Sequence, residues 1–178
     1  MATFDFETDV LVIGAGGSGL PAALSAVEAG AKKVMVVERR KVVGGTGAII
    51  GHMFGVESEP MKREGITTTK DEVFARHMES AHWACDARLA RNFINESAHM
   101  IQWLESKEGI KFNHISATSG TRYLTSHAIR ENNNIPVTGR VIADVLAREC
   151  KKAGVQFMMG TRVRSLIKDG ERKVIGVV

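Results

Sequence analysis

Four residues near the N-terminus have the types and spacing that hold a phosphorylated nucleotide. Gly14, Gly16 and Gly19 form a Gly-x-Gly-x-x-Gly turn, and Glu38 follows Gly19 by 19 residues. Gly14 permits a tight turn at a strand end, where glycine alone adopts positive φ at no cost. Gly16 has no Cβ, so the backbone can approach a pyrophosphate closely. Gly19 lets the following helix lie against the strand. Ala15, Gly17 and Ser18 between them supply N–H groups and one hydroxyl. The first turn of a helix has unpaired N–H groups and the positive end of its dipole, so an anion is stabilised there. Glu38 can accept hydrogen bonds from a ribose diol. A second cluster, Gly44-Gly45-Thr46-Gly47, offers more N–H groups and a hydroxyl, enough for another stretch of a long ligand. Arg39 stands beside the acid.

These residues need a βαβ unit to position them. An apolar run predicts a strand over Thr8–Ile13, and the alanine-rich stretch Leu20–Ala29 predicts a helix. Pro21 is tolerated in a first turn, and Gly30 suits the position just past the helix end. Lys33–Val37 reads as a buried parallel strand. A glycine-rich loop over Gly44–Gly55 follows, then a polar connection over Glu57–Thr69. Thr69-Lys70-Asp71-Glu72 predicts a helix start, with the helix running to about His82. Asp86 caps a second helix to about Ser106, whose apolar face is Phe93, Ile94, Met100, Ile101 and Leu104. Lys111–Asn113 reads as a short strand. Ser116–Val137 reads as irregular, with Gly120, Asn132-Asn133-Asn134 and Pro136. A helix from Thr138 or Gly139 to Ala153, ended by Gly154, leads to strands at Val155–Met159, Arg162–Lys168 and Lys173–Val178. Asp169-Gly170 is a hairpin signal. The fold class is α/β: a Rossmann-like domain with a parallel sheet, flanking helices and the start of a β-meander.

Glu38 followed by Gly44-Gly45-Thr46 resembles the glutathione-reductase-type FAD fold, in particular the flavoprotein subunits of the fumarate reductase/succinate dehydrogenase family. Asp86–Leu104 followed by Gly109-Ile110-Lys111-Phe112 is similar to that family's helix before its Gly-Val-x-Phe strand. Thr138–Val178 is similar to its helix, strand and meander. The resemblance implies FAD as cofactor, held by Gly14, Ala15, Gly16, Gly17, Ser18, Gly19, Glu38, Arg39, Gly44, Gly45, Thr46 and Gly47, with the backbone of Val163 meeting the adenine. Respiratory members attach FAD to a His just after the first βαβ unit. His52 lies several residues beyond that position, which implies non-covalent FAD. The family chemistry is hydride transfer between flavin N5 and the carbon next to an activated C=C bond. Ketosteroid dehydrogenases share the N-terminal motifs, so dicarboxylates, urocanate-like acids and steroids all stay open as substrates.

The same resemblance implies more sequence than this chain contains. Family members continue past the meander with a returning strand, a substrate-capping domain and a glycine-rich flavin segment. The expectation is an N-terminal fragment, catalytically incomplete, with no catalytic residue assignable. It would leave an unpaired sheet edge open to self-association or to a completing partner.

Composition narrows the alternatives. The net charge of +4 is modest, and the basic pairs Lys32-Lys33, Arg39-Arg40 and Lys151-Lys152 are scattered among acids along the sequence. That pattern reads as solvated surface, not as a nucleic-acid face. Cys85 and Cys150 make no Cys-x-x-Cys, so neither a disulfide framework nor a zinc site is indicated. No apolar run reaches membrane-spanning length and no leader pattern opens the chain, so the expected location is cytoplasmic. The six His residues show no metal-ligand spacing and read as surface or packed. Three residues stand apart as candidates: His52 near a flavin ring, and His127 and Arg130 facing a substrate cavity. Two other functions remain open. One is a nicotinamide-binding module, since Arg39-Arg40-Lys41 suits a 2′-phosphate that the retained Glu38 would repel. The other is a non-catalytic remnant that binds ADP-like ligands or a partner.

Overall fold

A computed structural model describes residues 4–118, 122–132 and 135–178. The chain divides into two units, residues 1–48 with 143–178, and residues 49–142.

The first unit is the expected βαβ unit with its additions. Strand β1 (Val10–Ile13), helix α1 (Gly19–Glu28) and strand β2 (Val34–Glu38) follow one another. Their register is parallel, Val10 opposite Val34 through Ile13 opposite Val37. Every residue of β2 is buried, which is why it is a continuous apolar run and not an alternating one. The turn into β2 is fixed by Asp9, whose carboxylate accepts the N–H groups of Lys32 and Lys33 at 3.0 and 2.8 Å. Gly30 ends α1 with φ +100°, as its position past the cap requires. The third strand comes from the far end of the sequence. It pairs parallel with β2, Met35 opposite Gln156 and Glu38 opposite Met159, so the sheet order is β1-β2-β8 with β8 at Gln156–Met159. Helix α5 (Thr138–Lys152) precedes β8, and Gly154 (φ +82°) ends it. Strands β9 (Leu166–Lys168) and β10 (Val174–Val177) form the antiparallel hairpin signalled by Asp169-Gly170.

The second unit carries the principal correction to the sequence reading. The stretch read as irregular is largely strand: β4 (His114–Ala117), β5 (Leu124–Ala128), β6 (Arg130–Glu131) and β7 (Ile135–Pro136). The short strand expected at Lys111–Asn113 lies instead at β4. Within the glycine-rich loop, a 3₁₀ turn (Gly45–Ile49) straddles the division between the units, and β3 (Met53–Phe54) follows it. The antiparallel sheet order is β3-β5-β4. These strands are short and mix His, Ser and Thr with apolar residues, so no period-2 signal marks them. Pairing, not propensity, defines them. Gly120, Asn133 and Asn134, included in the irregular reading, lie outside the described residues.

Helices α2 (Glu59–Arg63), α3 (Lys70–Ser80) and α4 (Ala87–Glu105) complete this unit, α2 falling within the expected polar connection. Thr69 and Glu72 form a reciprocal capping box at the start of α3, a feature worth about 1 kcal/mol. Asp86 caps α4 through the N–H groups of Arg88 and Leu89. Val56, Val73 and Ile94 form a buried cluster, with Phe54, Phe74 and Tyr123 against it.

Candidate nucleotide cradle

At the C-terminal ends of β1 and β2 the two glycine turns lie backbone to backbone. Gly14 leaves β1 with φ +100°, and its N–H donates to Val37 O at 2.8 Å. A Cβ on Gly19 would collide with the carbonyl oxygen of Gly14, so glycine is obligatory where α1 crosses the strand end. Gly16 and Gly44 form a parallel bridge, and Gly44 N–H donates to Ala15 O at 2.7 Å. Gly44 itself has φ +101°, and a Cβ there would lie 2.6 Å from Ala48 Cβ and 3.0 Å from Ala143 Cβ. A Cβ on Gly47 would lie 3.1 Å from both Cα and N of Gly17. Two turns far apart in sequence thus make one side-chain-free surface.

The N-terminus of α1 opens on that surface. Ser18 is its cap residue, yet its side chain makes no capping hydrogen bond, and the first turn holds no acidic residue. Pro21 has no N–H to offer. The Leu20 N–H is taken by Gly16 O at 3.1 Å, so the Ser18 hydroxyl and the Gly19 N–H are what the helix start offers an anion, with the dipole in their favour. Gly17, Ser18 and Thr46 are exposed.

Glu38 is buried at 8% exposure and already engaged. One carboxylate oxygen accepts the Ala15 N–H at 2.8 Å and the other accepts the Arg40 N–H at 2.7 Å. Burial pushes its pKa up, but those two N–H groups and the charges of Arg39 and Arg40 outweigh burial and hold it below 4.5. Each oxygen keeps a lone pair for a diol. Ala15 is turned inward: fully buried, its N–H is given to Glu38 and its C=O to Gly44. Arg39 is exposed beside the acid, and Val163 lies half-buried in the loop after β8.

The second unit holds the three other candidates, each within its own packing. His52 is exposed at the start of β3. His127 is packed, as the general reading of the six His residues had it, and not set in a substrate cavity as its candidate role required. It is fully buried, with Phe112 edge-on to its ring at 5.8 Å. Its Nδ1 lies 3.2 Å from Thr125 O and its Nε2 lies 2.6 Å from Ser58 Oγ. A carbonyl can only accept, so Nδ1 carries the proton and Nε2 accepts from the Ser58 hydroxyl. Burial lowers its pKa below 6.5. Arg130 is half-buried, with its backbone N–H and C=O bonded to the Asn113 side chain at 2.9 and 3.0 Å.

Sequence reasoning missed the tie made by Thr138 beyond its place at a helix start. Fully buried, it donates to Gly51 O at 2.5 Å and accepts the Ile129 N–H at 2.9 Å. Gly139 N–H adds a bond to Ile50 O at 2.9 Å. The segment after the second glycine cluster is thereby pinned to the helix start. The one available signal was a Thr at a helix N-terminus, a residue type that competes for backbone groups.

Among the described residues, no three His, Cys, Asp or Glu side chains gather as a metal ion requires. No helix among them is long and apolar enough to cross a membrane.

Comparison with known proteins gives this geometry a family. The NADH:fumarate oxidoreductase of Klebsiella pneumoniae (strain 342) is 29% identical over 170 residues, which are 95% of this chain and 18% of that protein. The acrylate reductase flavoprotein subunit of Shewanella woodyi is 29% identical over 98% of this chain and 34% of its own length. The open conformation of a flavocytochrome c3 fumarate reductase superposes with a TM-score of 0.85 at 28% identity, over 96% of this chain and 29% of that one. The chain thus spans about a third or less of the length of these relatives. The FAD binding domain model matches residues 9–178. So little of the sequence falls outside that match that the chain belongs to the FAD binding domain family.

Proposed function

We propose that this chain is the FAD-cradling portion of a flavoprotein reductase of the fumarate reductase type, holding its cofactor non-covalently. The observation that carries the reading is the apposition of Gly16 with Gly44 and Gly17 with Gly47 beside the uncapped start of α1. A cofactor backbone with two phosphates and a long polyol needs close approach to main chain along its length. Both turns omit the side chains that would prevent it.

In this reading Gly16, Gly17, Ser18 and Gly19 receive the diphosphate through N–H groups, the Ser18 hydroxyl and the helix dipole, while Gly14, its N–H given to Val37 O, shapes the turn. Glu38 accepts the ribose hydroxyls with the lone pairs that Ala15 and Arg40 leave free. Its own orientation is fixed before a ligand arrives, so little ordering entropy opposes binding. Ala15 acts through Glu38 and Gly44. Arg39 and Val163 border the adenosine end. Gly44, Gly45, Thr46 and Gly47 follow the cofactor toward its redox-active ring. Bound FAD would supply hydride transfer at N5, the chemistry that the family resemblance implies; the protein's part is position and electrostatics. The substrate class follows the reductases: a small unsaturated acid. The cytoplasm suits two free thiols, Cys85 and Cys150.

The test is reconstitution. The purified chain is incubated with FAD, desalted and examined for the visible flavin band, then precipitated with acid. Flavin retained on desalting and released to the acid supernatant supports the reading. Flavin that stays with the precipitate overturns non-covalent attachment. Retention of NAD(P) with no retention of FAD overturns the cofactor role altogether.

A further inference from the structure

The positive charge of this chain is confined to the unit that holds the cradle. Residues 1–48 with 143–178 contain 13 Lys and Arg against 9 Asp and Glu, whereas residues 49–142 contain 11 of each. Basic residues that look scattered in sequence are brought together by the fold. Arg39, Arg40 and Lys41 follow β2, and Arg162 and Arg164 lie in the loop after β8. Main-chain bonds tie the two loops side by side. Gly160 N–H donates to Arg40 O at 3.0 Å, and Thr161 N–H donates to Glu38 O at 2.9 Å.

All five side chains are exposed, and among the described residues none has an ion-pair partner. Surface cations of the other unit, Lys62, Arg63, Lys70 and Arg91, do have one. The anion at the centre of the group, Glu38, is buried and directs both oxygens to backbone N–H groups. Five like charges on adjoining loops repel one another, so their joint field is available to an incoming anion. The open helix start lies at the end of β1, the strand next to β2. Adjacent strands are about 4.8 Å apart, so the main chain at the end of β8 stands roughly 10 Å from the end of β1. That is about one Debye length at 0.1 M ionic strength.

We propose that Arg40, Lys41, Arg162 and Arg164 form a cationic collar that captures the cofactor by the charge of its diphosphate. It accelerates encounter without contacting the phosphates once they are bound. The proposal rests on FAD being the ligand, and it assigns the collar a kinetic role separate from the grip of the glycine turns.

The experiment measures FAD association with the purified chain by stopped-flow quenching of flavin fluorescence, from about 10 mM to about 1 M salt, a range over which the Debye length falls from about 30 to about 3 Å. Wild type is compared with R40S/K41S/R162S/R164S and with the charge-keeping R40K/R162K/R164K. The expected result is an association rate constant about tenfold lower for the Ser variant at low salt. Its salt profile should be nearly flat, its dissociation rate within about twofold of wild type, and its rate rejoined by wild type at high salt. The Lys variant should retain the wild-type profile, which a role in fixed guanidinium geometry would not allow. Equal rates for wild type and the Ser variant at low salt, or a salt-independent wild type, would overturn the collar and leave the cofactor assignment standing. Absence of any FAD binding by wild type would overturn both.

Discussion

The carboxylate of Glu38 accepts the backbone N–H of Ala15 at 2.8 Å, across 23 residues of sequence and from the end of β2 to the end of β1. The acid therefore organises the first glycine turn, in addition to the ribose role proposed for it. Glu38→Gln keeps one acceptor but sets an amide N–H against a backbone N–H, and Glu38→Ala leaves two N–H groups without partners. Each should lower stability by about 1–3 kcal/mol, with Ala the worse, and weaken FAD binding. Denaturant unfolding with and without FAD separates the two effects. The pH dependence has a definite sign. The folded pKa lies below 4.5, so the contribution is complete above the unfolded value and is lost as pH falls through the folded one. In Glu38→Gln that acid-range loss should shrink.

Gly19 and Gly47 both lack room for a side chain, with different consequences. A Cβ on Gly19 meets a carbonyl oxygen fixed by the strand, and only displacement of α1 relieves it. Gly19→Ala should destabilise the protein by several kcal/mol, beyond the ordinary range of about 0.5–3. A Cβ on Gly47 meets Gly17 at 3.1 Å, so a shift of a few tenths of an ångström accommodates it. Gly47→Ala should keep a near-wild-type melting temperature and lose FAD affinity, because the shift parts the two turns. Thermal melts paired with flavin fluorescence titration check both. A large drop in melting temperature for Gly47→Ala would contradict this division.

The contrast between Gly19 and His127 marks what the sequence made readable. The turn, α1, β2, the Gly30 and Gly154 ends, the Thr69 and Asp86 caps and the Asp169-Gly170 hairpin all rest on neighbours within a few residues, so spacing alone exposes them. Strand β5 rests on partners in β3 and β4, and its Thr-Ser-His-Ala run has no hydrophobic rhythm. Ser58 reaches His127 across 69 residues, and Thr138 reaches Gly51 across 87. No local pattern encodes such pairs. The double engagement of Glu38 was hidden for another reason: its position announces a ligand role, and the intramolecular one leaves the same residue type in the same place.

His127 should make stability fall on mild acidification. It is neutral in the fold, with burial the main cause of a pKa below 6.5. The unfolded chain takes up the proton as pH drops below about 6.5 and the folded chain does not, so stability is present above that value and lost beneath it. Urea unfolding should give a lower free energy at pH 5.5 than at 7.5. His114, also lowered chiefly by burial, adds to the same slope, so His127→Phe should reduce the difference without abolishing it. Ser58→Ala removes both the donor to Nε2 and the acceptor of the Met61 N–H. It should cost about 1–3 kcal/mol at neutral pH. A pH-independent unfolding energy between 5.5 and 7.5 would show that the imidazole is solvated.

The two thiols should differ in reactivity by their surroundings alone. Cys150 is fully buried and donates to Leu20 O at 3.5 Å, and burial pushes its pKa up to about 11. The thiolate is the reactive form, so at pH 8 Cys150 offers about one part in a thousand of it, behind a closed surface. Cys85 is exposed. A thiol-reactive dye at pH 8 should therefore label one site per native chain, mapped by peptide mass to Cys85, and two sites after denaturation. Because Cys150 bridges α5 to α1, the helix that follows the first glycine turn, slow labelling of it reports opening of the cradle unit. Saturating FAD should slow that labelling while leaving Cys85 unchanged. Equal protection of both thiols by FAD would mean that the cofactor stabilises the whole chain and not the cradle unit alone.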